Sequence, residues 1–308
     1  MDKIFKDNKY RPILAFLCAL GWSLAYPFIK IGYQQFGIMP SDLGGKIEFA
    51  GLRFFGAGLL VLVFCSCKKI KMNLSGRKDI AWLVLLAVVN TMLHYMFAYI
   101  GLGYNTSARS TILDSMGGFF LILLSVIVFT DDKFSIGKLI GCLFGMAGII
   151  SINIEPGVNF FSDITFQGDG MILLNALCAA FGGVITRIVS RKMNMMRATG
   201  LSMLIGGVLM LAFGFLFGAD SAWKWSVKGL AILLVLILIS AVCFGVYNEL
   251  LAYHPISKIA IYNALIPVLG VFFAAILLHE RLKWQYFVAV LMVALGIYFV
   301  NRKPHERV

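Results

Sequence analysis

An all-α integral membrane protein is the fold class this sequence predicts, and three observations predict it. Of 308 residues, 60% are hydrophobic and only 14% are charged, more apolar side chain than one soluble core of this size can hide. Apolar runs near the roughly 20 residues that a helix needs to cross a hydrocarbon layer recur along the chain with short gaps between them. The third observation is a duplication. Tyr253–Asn301 repeats the plan of Tyr104–Asn153, each leaving a tyrosine for a long apolar span, crossing a short charged hinge and entering a second span. Asp132-Lys133-Phe134 stands where Glu280-Arg281-Leu282 stands, and Gly148-Ile149 where Gly296-Ile297 stands.

The charged Met1–Arg11 leads into an apolar run too long for a signal peptide, so the first span is expected to be retained. In order, the spacing predicts ten transmembrane helices at Pro12–Tyr33, Lys46–Cys65, Ile80–Leu102, Ala108–Phe129, Phe134–Asn153, Gly168–Ser190, Ala198–Gly218, Gly229–Tyr253, Ser257–Leu278 and Trp284–Val300. The connections Gln34–Lys46, Cys67–Asp79 and Ile154–Gln167 are too short to fold alone, so residues 1–308 read as a single transmembrane domain. Its repeats run from about 12 to 153 and from about 168 to 301.

A net charge of +12 would suggest nucleic acid in a soluble protein, but here the basic residues concentrate in particular loops. Lys3, Lys6, Lys9 and Arg11 precede the first span; Lys68, Lys69, Lys71, Arg77 and Lys78 follow the second. Arg191, Lys192 and Arg197 follow the sixth, and Arg302, Lys303 and Arg307 follow the tenth. All lie on one side of the bilayer when the helix count is even, which predicts both termini in the cytoplasm of a plasma (inner) membrane protein. Acidic Glu155–Asp169, with Asp163, falls on the other side. Five spans per half make the second copy enter the membrane upside down, so the repeats are inverted, the plan on which one bundle rocks against the other around a fixed site. The cysteines Cys18, Cys65, Cys67, Cys142, Cys178 and Cys243 carry no zinc or haem spacing and read as packing residues.

The run Asn263-Ala264-Leu265-Ile266-Pro267-Val268, the hinge Leu277-Leu278-His279-Glu280-Arg281-Leu282 and the glycine-bearing last span carry a resemblance. So do Gly21-Trp22 with Lys30 in the first span and Arg53-Phe54 in the second. Together they resemble the EamA-type members of the drug/metabolite transporter superfamily over essentially the whole chain. The resemblance implies ten helices in five-plus-five inverted repeats, and export as the commoner direction. The chain departs from the family pattern at His279, where a hinge glycine is usual, at Asp131-Asp132 in place of Gly-Glu, and near Gly117-Gly118, where the fourth span usually has proline.

Ionisable groups inside a bilayer are costly and usually face a cavity or a partner. Asp114 in the fourth span and Glu249 in the eighth are the two acids well inside apolar runs, and either could bind a cationic group or carry a coupled proton. The structural alternative pairs them with Arg109, Arg187 or Lys258, but the five-residue step from Arg109 to Asp114 is a poor same-face spacing. Asn90, Thr91, His94 and Tyr95 share one side of the third span, and His94 titrates near neutral pH when unperturbed. Asn175, Cys178, Gly182 and Thr186 form a stripe in the sixth that could equally serve close helix packing. Trp22 and Tyr26 lie mid-span instead of at an interface, and Asn263 opens the ninth-span run, which adds all three to the candidate solute path. Arg53 reads as a bundle-holding partner of Glu48, with an anion site as the alternative.

No P-loop, HExxH or Gly-x-Ser-x-Gly pattern occurs, so ATP hydrolysis and the common hydrolytic chemistries have no signature here, and no cofactor is expected. The expected activity is secondary transport of a small cationic or zwitterionic solute, such as an amino acid or an amine, with protons as a candidate coupling ion. A facilitator or exchanger of phosphorylated or nucleotide-linked metabolites is the alternative and would need cavity-facing bases, for which Arg53, Arg109 and Arg187 are candidates. An integral-membrane enzyme or assembly factor is the third. The residues leave open whether the chain works alone or as a homodimer.

Overall fold

A computed structural model describes residues 2–71, 76–153, 164–218, 223–279 and 284–301. The expected hinge at 280–283, the acidic stretch 155–163 and the basic tail 302–308 lie outside the described residues. Every regular element described is helical. A short α1 (Asp2–Lys6) precedes α2 (Arg11–Phe36) and α3 (Leu43–Cys67); α4 (Arg77–Ala87) runs through a π turn at Val88–Leu93 into α5 (His94–Tyr104). Next come α6 (Ser107–Asp114), α7 (Met116–Val128) and α8 (Ile136–Asn153). A π turn at Phe166–Gly170 opens α9 (Met171–Ser190), followed by α10 (Met195–Leu216) and α11 (Val227–Tyr253). Finally α12 (Ile256–Ala260) passes through a 3-10 turn at Ile261–Ala264 into α13 (Leu265–Leu278), and α14 (Gln285–Asn301) ends the described chain.

Among the described residues, eight helical runs are long and apolar enough to cross a membrane, and Ile136–Gly148 is a shorter apolar helix. Large apolar side chains such as Ile127, Phe215 and Val227 stand outward, more than three-quarters exposed, as a lipid-facing surface allows. The helix starts are capped where the sequence offers an oxygen. Asp42 accepts from the Gly45 N–H at 2.7 Å, Asn194 from Arg197 at 3.1 Å and Ser226 from Gly229 at 2.9 Å, each satisfying a donor that the first turn leaves unpaired. His279 closes α13 in the left-handed conformation (φ 55°), the place where glycine is usual.

Small residues bring the helices together, because lipid gives apolar side chains no reason to prefer one another. At Gly58 a side chain would strike the backbone of Gly200 and Leu204, and at Gly207 that of Gly51 and Phe55, so α3 and α10 touch main chain to main chain. The same device joins α8 to α14, where Gly141 lies on the Gly296 carbonyl.

The expected fourth and ninth spans are both interrupted. Asp114 ends α6 and Asn263 lies in the 3-10 turn before α13; each stands ten residues past its tyrosine, Tyr104 or Tyr253. The two broken helices cross at their interruptions. Gly118 of α7 lies against Asn263 and the Ala260 carbonyl, and Gly270 of α13 lies against Thr111 of α6.

Ion pairs sit away from this crossing. The carboxylate of Asp132, in the α7–α8 connection, accepts from Lys138, from Ser125 Oγ at 2.8 Å, and from both the backbone N–H (2.7 Å) and the hydroxyl of Ser257. Burial pushes that carboxyl up, but Lys138 and the hydroxyl and N–H donors outweigh it and hold it below the usual carboxylate range. Asp131 beside it accepts from Arg187 at 2.8 Å. Asp131-Asp132 therefore does more than cap a hinge, since it ties the α7–α8 connection to α9 and to the start of α12.

Candidate functional site

The crossing of the broken helices leaves a hollow between the packed helices, with about 100 Å³ of free space at its centre, room for several waters. Its wall is built by α2, α3, the α4–α5 run, the α6–α7 break, α9, α11 and the turn before α13. Seven sequence candidates line it: Trp22, Tyr26, Asn90, His94, Tyr95, Asp114 and Asn263.

Each is placed by a local feature. Pro27 lacks the N–H that would bond to the Ser23 carbonyl, and Trp22 and Tyr26 lie on the turns beside this gap in α2. Asn90 sits inside the π turn and His94 immediately after it; an inserted residue of this kind rotates the helix face that follows, and such bulges recur at functional sites. His94 stacks on Tyr95 with ring centroids 4.2 Å apart and planes nearly parallel. Asp114 falls at the single-residue step from α6 to α7, where the Gly118 N–H bonds three residues back to the Ser115 carbonyl, and Asn263 donates from its amide to the Tyr247 hydroxyl at 2.9 Å.

Asn175 lies behind this wall. Fully buried in α9, its amide donates to the Asp114 carboxylate, while the Tyr26 hydroxyl faces the same carboxyl from α2. From the same stripe, Thr186 reaches the hollow, whereas Gly182 presses on Asn90 and serves close packing.

Glu249 is not brought to the hollow. Successive helix residues turn about 100°, and it is Asn248 that faces inward, its amide donating to the Thr199 hydroxyl at 2.9 Å. Glu249 instead lines a separate pocket with Phe5, Lys68, Ile70, Asn194, Met196 and Tyr253. The two acids therefore do not share a site.

Arg53 corrects another expectation. Fully buried in α3, it forms no pair with Glu48; its Nε donates to Ser240 Oγ at 2.6 Å and one terminal nitrogen to the Tyr99 hydroxyl at 3.1 Å. Its guanidinium lies 5.0 Å from the Phe54 ring centre and 5.7 Å from that of Tyr95, and it lines the hollow. The other bases that an anionic solute would need are engaged elsewhere. Arg109 pairs with Asp169 at 2.6 Å, and Arg187 with Asp131.

Polar atoms that face this hollow are left over. Trp22 Nε1, the second terminal nitrogen of Arg53, His94 Nδ1 and Thr186 Oγ1 are buried without a hydrogen-bond partner among the described residues. Buried polar groups are ordinarily paired. All four belong to side chains that line the hollow.

Comparison with known proteins gives this geometry a context. The profile described as the EamA-like transporter family matches residues 11–154 and again 166–302. An uncharacterized transporter of Archaeoglobus fulgidus is 25% identical over 302 residues, spanning 97% of this chain and 100% of its own length. A probable amino-acid metabolite efflux pump of Escherichia coli is 24% identical over 302 residues, spanning 93% of each chain. A crystal structure, 14% identical, superposes with a TM-score of 0.74 over 96% of this chain and 98% of its own, which shows a shared fold.

Proposed function

This chain belongs to the EamA-like transporter family, within the drug/metabolite transporter superfamily, and from that premise we propose that it is a secondary transporter. It moves a small cationic or zwitterionic organic solute through the central hollow by alternating access. The observation that carries this reading is the Asp114 carboxylate at the break of one crossing helix, with Asn263 at the break of the other and both facing one cavity. A carboxylate and an amide at membrane depth are costly against lipid and suit a water-filled solute path.

Two inverted five-span repeats in one transmembrane domain are the frame for this motion. Support comes from the double match of the family profile and from interruptions placed equally far past Tyr104 and Tyr253. A cytoplasmic position of both termini in a plasma membrane protein is the reading that the basic loops support. Asp114 takes the cationic group of the solute or a coupled proton, and Asn90, His94, Tyr95, Trp22, Tyr26 and Asn263 complete the wall while Asn175 holds Asp114. Efflux fits the names of the relatives. An amino acid or amine fits an acid-bearing aromatic cavity, whereas a phosphorylated solute would meet Arg53 as the one cavity-lining base among the described residues.

The test is solute release from liposomes that contain only this protein, loaded in turn with labelled amino acids and amines, with and without an imposed pH gradient. Release of at least one solute above the rate of empty liposomes is expected. Release at the empty-liposome rate for every solute, from protein shown to be folded, overturns the proposal.

A further inference from the structure

The Arg53 guanidinium stays charged at any pH a cell reaches, and it is buried at 1% exposure. Its hydrogen-bond partners, Ser240 and Tyr99, are neutral. Among the described residues no carboxylate lies within ion-pair distance of it, and one terminal nitrogen has no partner although it is buried and its side chain lines the hollow. A buried charge without a counter-charge is among the most unfavourable arrangements a protein interior holds. The rings of Phe54 and Tyr95 offset part of that cost through their π faces. They supply no acceptor for the free N–H.

Asp114 presents the complementary situation on the same hollow. Its carboxylate accepts from Asn175, and no base lies within ion-pair distance of it among the described residues. The two opposite charges thus face one cavity without touching each other, and Tyr26 and Tyr95 lie within electrostatic reach of both. A cavity built for a simple amine would have no use for an uncompensated guanidinium. A cavity built for a simple acid would have no use for Asp114.

Resting on the proposed transport function, we infer that Arg53 is the carboxylate-binding residue of this site, holding the acid end of an amino-carboxylate whose ammonium end meets Asp114. The flat fork of N–H donors suits a carboxylate, and a rotation of the side chain that turns the unpartnered terminal nitrogen toward the hollow supplies the second donor. Arg53 then selects zwitterions over amines of the same skeleton. The sequence alone favoured a structural pair with Glu48 over an anion site at this residue.

The test uses purified full-length protein and matched probes. Each L-amino acid is compared with its decarboxylated amine and its deaminated acid, binding being read from thermal stabilisation and intrinsic tryptophan fluorescence. At least one amino acid is expected to bind about ten-fold or more tightly than either of its partners, the ratio that one charge-assisted pair of about 1.4 kcal/mol commands. Arg53→Gln should erase the preference over the amine while leaving the amine's own affinity nearly unchanged, and Asp114→Asn should erase the preference over the acid. Should Arg53→Gln fail to fold, Arg53→Lys keeps the charge but loses the fork and should lower the same ratio, and the matched probes on the unaltered protein need no variant. Amines that match their amino acids in every pair that binds, or a ratio unmoved in Arg53→Gln or Arg53→Lys, overturn the inference. Solute release from liposomes for amines alone overturns it too while leaving the transport function standing; no release of any solute removes the transport function itself.

Discussion

Asn175 on α9 donates its side-chain amide to the carboxylate of Asp114, at the point where α6 ends, so a buried neutral group on one helix fixes the acid on another. Asn175→Ala should cost about 1–3 kcal/mol of stability, the penalty of leaving a buried acceptor short of a partner. It should also weaken solute binding, because Asp114 loses its orientation. Thermal unfolding in detergent and a solute titration check the two effects; a variant unchanged in both would show that the contact does not hold Asp114.

The Asp132 cluster gives a pH dependence with a definite sign. Its carboxyl is held below the ordinary range, so the ionised form stabilises the fold. That contribution is fully present above the ordinary carboxylate pKa and disappears as pH falls through the lowered folded value. Asp132→Asn takes the negative charge away from Lys138 and leaves one amide oxygen where two carboxylate oxygens served Lys138, Ser125 and Ser257, and it should destabilise by roughly 3 kcal/mol at neutral pH, the cost of breaking a buried pair. The gap between variant and unaltered protein should stay level across neutral and mildly acid pH and narrow only below the ordinary carboxylate range. Melting temperatures taken against pH measure it, and a gap that widens on acidification would contradict the assignment.

Backbone contact between α3 and α10 makes Gly207 a position with no room. Gly207→Ala puts a methyl group against the Phe55 and Gly51 backbone and should cost about 1–3 kcal/mol by overpacking. Gly76→Ala, at a glycine with nothing within 4 Å, should leave the melting temperature close to that of the unaltered protein. Equal behaviour of the two variants would mean that the helices do not meet as closely as described.

Hydropathy and spacing made the helical class legible, because an apolar span advertises itself over some twenty residues. The breaks were not legible. The π turn at Val88–Leu93 and the 3-10 turn at Ile261–Ala264 contain neither glycine nor proline, so no residue within them separates them from continuous helix. Asp114 stood out because a carboxylate is rare at membrane depth, and Asn175 because it repeats the spacing of one helical stripe. Glu249 drew the same attention, yet its angle around α11 was invisible without the packing that turns Asn248 inward. Arg53 was misread for a reason the residues did contain. The five-residue step that argues against an Arg109–Asp114 pair argues equally against Glu48–Arg53.

The most direct measurement of the account is solute counterflow into liposomes by the Asp114→Asn protein, beside unaltered protein and Gly76→Ala, after each is shown to be folded. With Asp114 as the group that receives the cationic end of the solute, counterflow should fall to the level of protein-free liposomes in Asp114→Asn alone. Counterflow at the unaltered rate in that variant would contradict the assignment of the central hollow as the solute path.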